Sequence, residues 1–258
     1  MSYETLRYEE RGRVAVITYD RQERRNAWNP PMYREAVAAI ERANASADVG
    51  AIVITHDGPV FCAGTDFKAE PEPPDPQTGR RPNVATLSMA QDASWLHLLA
   101  RSKPTIGAIR GAAIGLGVTQ ILPFDIRIGG ASSTYSFPFL SLGLMPELGC
   151  TALLPRLVGY GHAVDICLSS AKLSAQEALD IGLITRVAGD DDVVAEAVAL
   201  GEKLAAAPAL QMQLTRELLR ENSGEHDANV VLARETEAFV TMFRAAKEAK
   251  KKAAAEGA

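Results

Sequence analysis

Short, nearly continuous runs of β-branched and apolar residues constrain this chain more than any other feature. The first two are Val14–Tyr19 and Ala51–Thr55, and further runs occur at Thr105–Ile109 and Asp125–Ile128. Strands that are buried on both faces have such continuous apolar runs, whereas half-exposed strands alternate apolar and polar residues. The runs therefore predict a central sheet covered on both faces.

Helix-forming segments separate these predicted strands. After the first strand, Asn29 is a suitable N-cap before Pro30, and Tyr33, Val37 and Ile40 follow at helical spacing. A second helix is predicted from about residue 86 to 101, and a third begins near Leu116 after a glycine-rich turn. Strands alternating with helices require right-handed crossovers, so we predict the α/β fold class.

The last quarter of the chain has a different pattern. After Val187 the strand signals stop, and three amphipathic helices follow, with these apolar faces: Val193/Ala197/Leu200/Leu204, Leu210/Leu214/Leu218 and Leu232/Thr236/Phe239/Phe243. We predict an α/β core over residues 1–194 and a helical region over 195–258. Such apolar faces need a cover, either the chain's own core or a neighbouring subunit.

Composition excludes several classes of partner and location. The chain has 258 residues, a net charge of −5 and 47% hydrophobic residues, so it is globular and poorly suited to bind nucleic acid. Its three cysteines lack metal or redox spacing, its four histidines lack ligand spacing, and its beginning lacks signal-peptide features. We expect a cytoplasmic protein with free thiols, no bound metal and no membrane span.

Residues 70–82 contain five of the fourteen prolines, so they form neither a helix nor a central strand. The segment is predicted to be a surface loop. It is either a lid over a site or an insertion without function.

Two glycine-rich turns are the strongest chemical signals. One spans residues 58–68, after the second strand, and the other spans residues 111–117, after the third. Each leaves backbone amides that no sheet pairs, and the second leads into a helix whose first amides are unsatisfied. Two such turns at neighbouring strand ends can direct two N–H groups at one oxygen, as in an oxyanion hole.

Seven segments, in order, resemble the enoyl-CoA hydratase/isomerase, or crotonase, family. They are Arg25-Asn-Ala27, Phe61–Lys68, Lys103–Gly117, Asp125-Ile-Arg127, Ser141–Glu147, Leu154–Gly159 and Ala175–Ile184. The match extends over nearly the whole chain.

The resemblance implies a spiral of ββα repeats with a helical C-terminal region that packs subunits into trimers or pairs of trimers. It also implies a coenzyme A thioester as substrate, and no separate cofactor. The thioester oxygen would bind the backbone amides of Thr65 and Leu116. The residues that map to the coenzyme A path are Ala27, Ala63, Asp66, Phe67 and Lys68.

The departures from the family pattern bear on the reaction. At the two positions where family hydratases have glutamates, this chain has Thr119 and Phe139, and neither can act as a carboxylate base. Phe139 would also make the water site apolar, and it is predicted to contact the substrate. A glutamate, Glu147, instead occupies a Pro-Glu turn similar to that of family enoyl-CoA isomerases, although Leu148 is larger than usual there. One carboxylate suffices to move a double bond from the 3,4 to the 2,3 position.

Alternatives remain open. The chain is an enoyl-CoA isomerase, a hydratase, another acyl-CoA enzyme on the same platform, or an acyl-CoA-binding protein without catalysis. Glu147 itself is either the catalytic base or an ordinary acidic residue at a helix start. A dinucleotide enzyme is disfavoured, because the third glycine of the GxGxxG motif is missing after Gly117.

Four further residues have simpler structural interpretations. Cys62 is interpreted as a small buried residue, and Asp66 as a cap of its turn or of the following helix rather than a group in proton chemistry. Trp28 and Trp95 are interpreted as core or wall residues.

Overall fold

The computed structural model describes residues 2–76, 79, 81–84, 87 and 94–256, and of residues 252–256 it describes the backbone. Its larger sheet has six strands in the order β1-β2-β3-β4-β6-β9. These strands are β1 Leu6–Arg11, β2 Val14–Tyr19, β3 Ala51–His56, β4 Thr105–Ile109, β6 Ile126–Gly130 and β9 Arg186–Ala188. Only the edge strand β1 is antiparallel to its neighbour, and the remaining pairs are parallel.

The four predicted strands are confirmed, with small changes at their ends. Every residue of β2, β3 and β4 is buried, as the continuous apolar runs indicated. The fourth strand starts at Ile126 rather than Asp125, because the Asp125 carboxylate accepts the Thr105 N–H at 2.8 Å and so lies just before the ladder.

A second, smaller sheet has the order β5-β7-β8. Its strands are β5 Ala112–Ile114, β7 Thr134–Ser136 and β8 Lys172–Ser174. Each large-sheet strand β4 and β6 is thus followed at once by a strand of the small sheet. These pairs are repeated ββ units of the kind that the family resemblance implies.

Nine α-helices lie in the described part of the chain. They are α1 Pro30–Ala45, α2 Trp95–Arg101, α3 Leu116–Thr119, α4 Cys150–Val158, α5 Tyr160–Ser169, α6 Ala175–Asp180, α7 Val193–Ala205, α8 Ala209–Asn222 and α9 Ala228–Glu256, with 3-10 turns at Gln22–Arg24 and Leu140–Leu142.

The predicted helix starts are tested at three points. The Asn29 cap is confirmed, since its Oδ1 accepts the Met32 N–H at 3.0 Å. The predicted helix over 86–101 is present as α2 in its second half, while residues 85, 86 and 88–93 lie outside the described residues. The helix near Leu116 is a single turn.

Alternate residues of the large sheet supply two separate cores. Ala15, Ile17 and Ile52 point into the larger core with α1, while Val14 and Val53 point to the opposite face. Helix α7 covers that second face through residues such as Val193 and Ala197. The sheet is therefore buried on both sides.

The chain divides into two compact units, residues 1–205 and 206–258. The boundary that we predicted between residues 194 and 195 therefore moves to the end of α7. The physical reason is that α7 packs on the sheet of the first unit. In the second unit, α8 and α9 pack on each other, and Arg234 bonds to Asn222 at 3.0 Å.

Two other expectations concern the surface. The described residues between 70 and 82 form neither helix nor strand, as predicted, and Glu72 pairs with Arg34 of α1 at 2.6 Å. No helix in the described part of the chain is long and apolar enough to span a bilayer.

Candidate active site

The first glycine-rich turn forms a short extended segment between β5 and Trp28. On one side, the Cys62 N–H donates to the Ala112 C=O at 3.1 Å, and the Cys62 C=O accepts the Ile114 N–H at 2.9 Å. On the other side, the Trp28 N–H donates to the Gly64 C=O, and the Trp28 C=O accepts the Asp66 N–H, both at 2.8 Å.

These bonds determine where the Thr65 amide points. Because successive backbone groups of an extended segment alternate in direction, the N–H of Thr65 points away from Trp28. It donates no hydrogen bond among the described residues. Thr65 therefore offers a free N–H at a partly exposed position.

The second turn offers another free amide. Gly115, at a φ of 55°, donates its N–H to the Ser136 C=O at 2.9 Å, and its own C=O accepts from Val118 and Thr119. Leu116 begins α3, and its N–H has no acceptor among the residues described. An orphan amide of this kind is expected at a helix start.

Two glycines let the turns pack directly on each other. A Cβ on Gly117 would lie 2.3 Å from the Cys62 carbonyl oxygen, and a Cβ on Gly64 would lie 2.9 Å from the Ile114 oxygen. The same Gly64 position lies 3.8 Å from the Leu116 nitrogen. The two free amides therefore belong to touching turns, which is the arrangement an oxyanion hole needs.

The residues mapped to the coenzyme A path lie on two adjacent segments. These residues are Ala27, Ala63, Asp66, Phe67 and Lys68. The segments meet where the Ala63 N–H donates to the Arg25 C=O at 3.0 Å. Phe67 is 76% exposed, and Lys68 is also exposed, so both side chains are free to meet a ligand.

Of the two capping roles predicted for Asp66, the structure shows the cap of its turn, since its Oδ1 accepts the Lys68 N–H at 3.0 Å. It also forms an ion pair with Arg21 at 2.8 Å, in which both side chains are largely buried. Burial opposes ionisation of Asp66, but the hydrogen bonds from Arg21 and Lys68 and the nearby positive charges outweigh it and lower its pKa.

Sequence reasoning missed the part played by Arg21. Its Nη1 also donates to the Ala27 C=O at 2.8 Å, so one guanidinium joins both segments of the mapped path. No sequence signal marked it, because its ion-pair partner Asp66 is distant along the chain. Asn26, in contrast, belongs to the segment Arg25-Asn-Ala27 that carries the family resemblance. Its side-chain amide donates to the Asp57 and Val60 carbonyls at 3.0 and 2.9 Å.

The two positions without glutamate are apolar in character. Thr119 is fully buried, and its hydroxyl turns back to the Leu116 C=O at 3.4 Å. Phe139 is 4% exposed and follows β7, whose Ser136 pairs in parallel with Ile114 just before the Leu116 turn. Because β5 and β7 are parallel, Phe139 follows β7 at the same end of the small sheet at which the Leu116 turn follows β5.

Glu147 lies in the turn between the 3-10 segment Leu140–Leu142 and α4. Its side chain is half-buried, and its carboxylate has no hydrogen bond or ion pair among the described residues. Burial raises the pKa of this carboxyl above its ordinary value. Leu148, which is larger than the residue usual in this turn of the family, has a φ of 53°, a conformation that side-chain-bearing residues rarely adopt.

The remaining candidates behave as structural residues. Cys62 is fully buried, and burial raises its pKa to about 12. Trp28 and Trp95 are fully buried and pack edge to face at 5.0 Å. His56 is buried, and burial together with the charge of Arg110 lowers its pKa to about 4. Within the described residues, no cluster of side chains suits a metal ion.

Comparison with known proteins identifies the family. The sequence profile described as enoyl-CoA hydratase/isomerase matches residues 9–256. A Rhizobium meliloti protein named probable enoyl-CoA hydratase is 35% identical over 214 residues, 82% of this chain and 80% of that protein. The 4-chlorobenzoyl coenzyme A dehalogenase-2 of an Arthrobacter species is 32% identical over 213 residues, 82% of this chain and 76% of its own.

A solved structure supports the same assignment. The crystal structure of a probable enoyl-CoA hydratase/isomerase from Mycobacterium abscessus matches with a TM-score of 0.81 and 27% identity, covering 96% of each chain. The predicted fold class and family resemblance are both confirmed. The chain belongs to the enoyl-CoA hydratase/isomerase, or crotonase, family of acyl-CoA enzymes, and it has that family's mixed α/β fold.

Proposed function

We propose that the protein is an enoyl-CoA isomerase that moves a 3,4 double bond to the 2,3 position with Glu147 as its single base. The observation that carries this proposal is the state of Glu147, a half-buried carboxylate with a raised pKa and no partner among the described residues. A structural carboxylate in a turn usually has a hydrogen bond or an ion pair. A desolvated and unpaired one is suited to accept a proton.

The backbone supplies the second requirement of the reaction. Removal of a proton from C2 places negative charge on the thioester oxygen, and the free amides of Thr65 and Leu116 would stabilise that charge. Glu147 would then return the proton to C4, which completes the shift without a second carboxylate. The residues along the mapped path, from Ala27 to Lys68, would hold the coenzyme A portion.

Hydration is the second candidate, since several relatives carry hydratase names. Against it, neither Thr119 nor Phe139 can hold and activate a water as a carboxylate does, and both are buried. Hydration would therefore require Glu147 alone to activate the water. An acyl-CoA-binding protein without turnover is the third candidate.

The quaternary structure and location are further parts of the proposal. We infer a homotrimer or a pair of trimers, supported by Leu232, Phe239 and Phe243 of α9, which are mostly exposed and form the apolar face noted in the sequence. The three free cysteines support a cytoplasmic location.

The test of function compares Glu147→Gln with a matched control, Glu196→Gln, at an exposed position on α7. A 3-enoyl-CoA and a 2-enoyl-CoA are offered to each protein. We expect the parent and Glu196→Gln to isomerise the 3-enoyl-CoA and to hydrate the 2-enoyl-CoA poorly. We expect Glu147→Gln to isomerise about 10²–10⁴-fold more slowly with nearly unchanged affinity.

Each other outcome selects a different function. Rapid hydration by the parent would replace the isomerase proposal with a hydratase. Parent-like isomerisation by Glu147→Gln would place the base elsewhere. Tight acyl-CoA binding without turnover of either substrate would favour the non-catalytic alternative.

A further inference from the structure

Two cysteines outside the site already described lie together in the helical hairpin that follows Glu147. Cys150 begins α4 and Cys167 lies near the end of α5, and the two helices, joined by Gly159, pack on each other. Both cysteines line one cavity of about 310 Å³, whose other walls include Leu154 and Ala163. The two thiols are near enough for each to affect the ionisation of the other.

The hairpin also holds both ends of the segment that carries Phe139 and Glu147. At the start of that segment, the Phe137 N–H donates to the Ala171 C=O at 2.9 Å, and the Ser141 N–H donates to the Ser170 hydroxyl at 3.1 Å. Residues 170 and 171 directly follow α5.

At the other end of the segment, the Cys150 N–H donates to the Glu147 C=O at 3.1 Å. The backbone of Cys150 is therefore bonded to that of Glu147, and Cys167 lies one turn before the residues that anchor Phe137 and Ser141. The cysteine pair bridges the base of this segment, which we call the 137–149 segment.

We propose that Cys150 and Cys167 are a redox modification site, at which a peroxide converts the two thiols into a disulfide that clamps the 137–149 segment and slows catalysis. The Cys167 thiolate attacks one peroxide oxygen, giving a sulfenic acid and releasing hydroxide, which takes up the thiol proton to form water. The Cys150 sulfur then attacks the Cys167 sulfur, the disulfide forms, and the second oxygen leaves as water. The peroxide is reduced to two waters as the two thiols are oxidised.

The order of attack follows from the exposure and the pKa of each thiol. Cys167 is partly exposed while Cys150 is buried, so peroxide reaches Cys167 first. Burial raises the pKa of both thiols, that of Cys150 to about 12, but the neighbouring Cys150 thiol partly offsets the rise in the pKa of Cys167. Since the thiolate is the nucleophile, the cross-linking rate should increase with pH.

The effect on catalysis, which depends on the proposed function, follows from distance. To form the disulfide, the two free sulfurs must approach to about 2.05 Å. We expect closing this bond to draw the start of α4 towards the end of α5. The Glu147 backbone would move with it, because its C=O accepts the Cys150 N–H at the start of α4. A displacement of about 1 Å in a catalytic group can lower a rate about 10²-fold.

The experiment uses the full chain, reduced and then treated with hydrogen peroxide. Digestion with trypsin under non-reducing conditions should join peptides 128–156 and 157–172, which contain Cys150 and Cys167, and dithiothreitol should separate them. Cys62 should remain a thiol, because it is fully buried. Amide hydrogen exchange in the 137–149 segment should slow in the cross-linked protein, and this readout does not depend on any activity.

Isomerase turnover should fall at least tenfold after peroxide and recover with dithiothreitol, whereas Cys167→Ser should keep its untreated turnover. No link between the two peptides in folded, peroxide-treated protein would overturn the site. A link without slower exchange would overturn the clamp. If peroxide lowers the turnover of Cys167→Ser as much as that of the parent, the disulfide is not what slows catalysis. If the reduced parent has no isomerase activity, the proposed function fails, while the linkage and exchange results still decide the site and the clamp.

Discussion

At the scale of single residues, the proposed isomerisation depends on Glu147 and its environment. Its carboxylate is desolvated, so ionisation costs more free energy than in water and its folded-state pKa is raised. A group of this kind stabilises the fold below its unfolded pKa and loses that contribution as pH rises through the folded pKa. At neutral pH, replacing Glu147 by Gln should therefore not lower stability, which separates a catalytic role from a structural one.

The same shift predicts the pH dependence of the reaction. A base must be ionised, so kcat/KM should fall with decreasing pH around a midpoint above the ordinary glutamate value of 4.5. The measurement is a profile of kcat/KM against pH for the parent and for Glu196→Gln, which should share the midpoint. A midpoint at or below 4.5 would mean that the titrating group is a solvated carboxylate rather than Glu147.

At the scale of elements, the site depends on how the segments around residues 25–28 and 63–68 are joined. Arg21 bonds to Ala27 and to Asp66, and both members of the ion pair are mostly buried. Breaking a buried pair leaves an uncompensated charge. The lowered pKa of Asp66 means that this stabilisation is present above the unfolded pKa and is lost as pH falls through the folded pKa.

We expect Arg21→Met to lower the free energy of unfolding at pH 7 by about 3–5 kcal/mol. The matched control is Glu9→Gln, which breaks the half-exposed pair with Arg11 and should cost at most about 1 kcal/mol. Urea denaturation of the three proteins measures both changes. Equal, small effects would show that the buried pair is not what joins the two segments.

The sequence predicted the elements that have strong local signals. The strands β2, β3 and β4 were found because their apolar runs are long and fully buried. The strands β5 and β7 were not predicted, because three residues are too few to show an alternation of apolar and polar side chains. Their pairing is decided by contacts between residues that are distant in the chain. The boundary between the core and the helical region was misplaced at α7. Its amphipathic face resembles those of α8 and α9 in sequence, but it packs on the sheet.

The site was predictable to a similar degree. The glycines of both turns were visible in the sequence, and the resemblance singled out Thr65 and Leu116. That the turns touch depends on the bridge between Cys62 and Ala113, which only the fold reveals. Two features of the site had no sequence signal. One is the ion pair between Arg21 and Asp66, and the other is that the Glu147 carboxylate has no partner among the described residues.

At the scale of the whole molecule, the quaternary proposal has a simple test. A trimer or a pair of trimers would have three or six times the 27.6 kDa of the single chain. Sedimentation equilibrium of the parent should give one of these masses, and Phe239→Glu with Phe243→Glu should lower it by placing charge on the apolar face of α9. A monomeric parent would contradict the proposal.

The central claim is that two backbone amides hold the thioester oxygen while Glu147 moves the proton. The most direct measurement is a crystal structure of Glu147→Gln with a 3-enoyl-CoA bound, since this variant should bind the substrate without converting it. We expect the thioester oxygen within about 3.1 Å of the Thr65 and Leu116 nitrogens, and the substituted amide side chain at position 147 about 3–3.5 Å from C2 or C4. An oxygen well beyond that distance from both amides, or another carboxylate beside C2 and C4, would contradict the account.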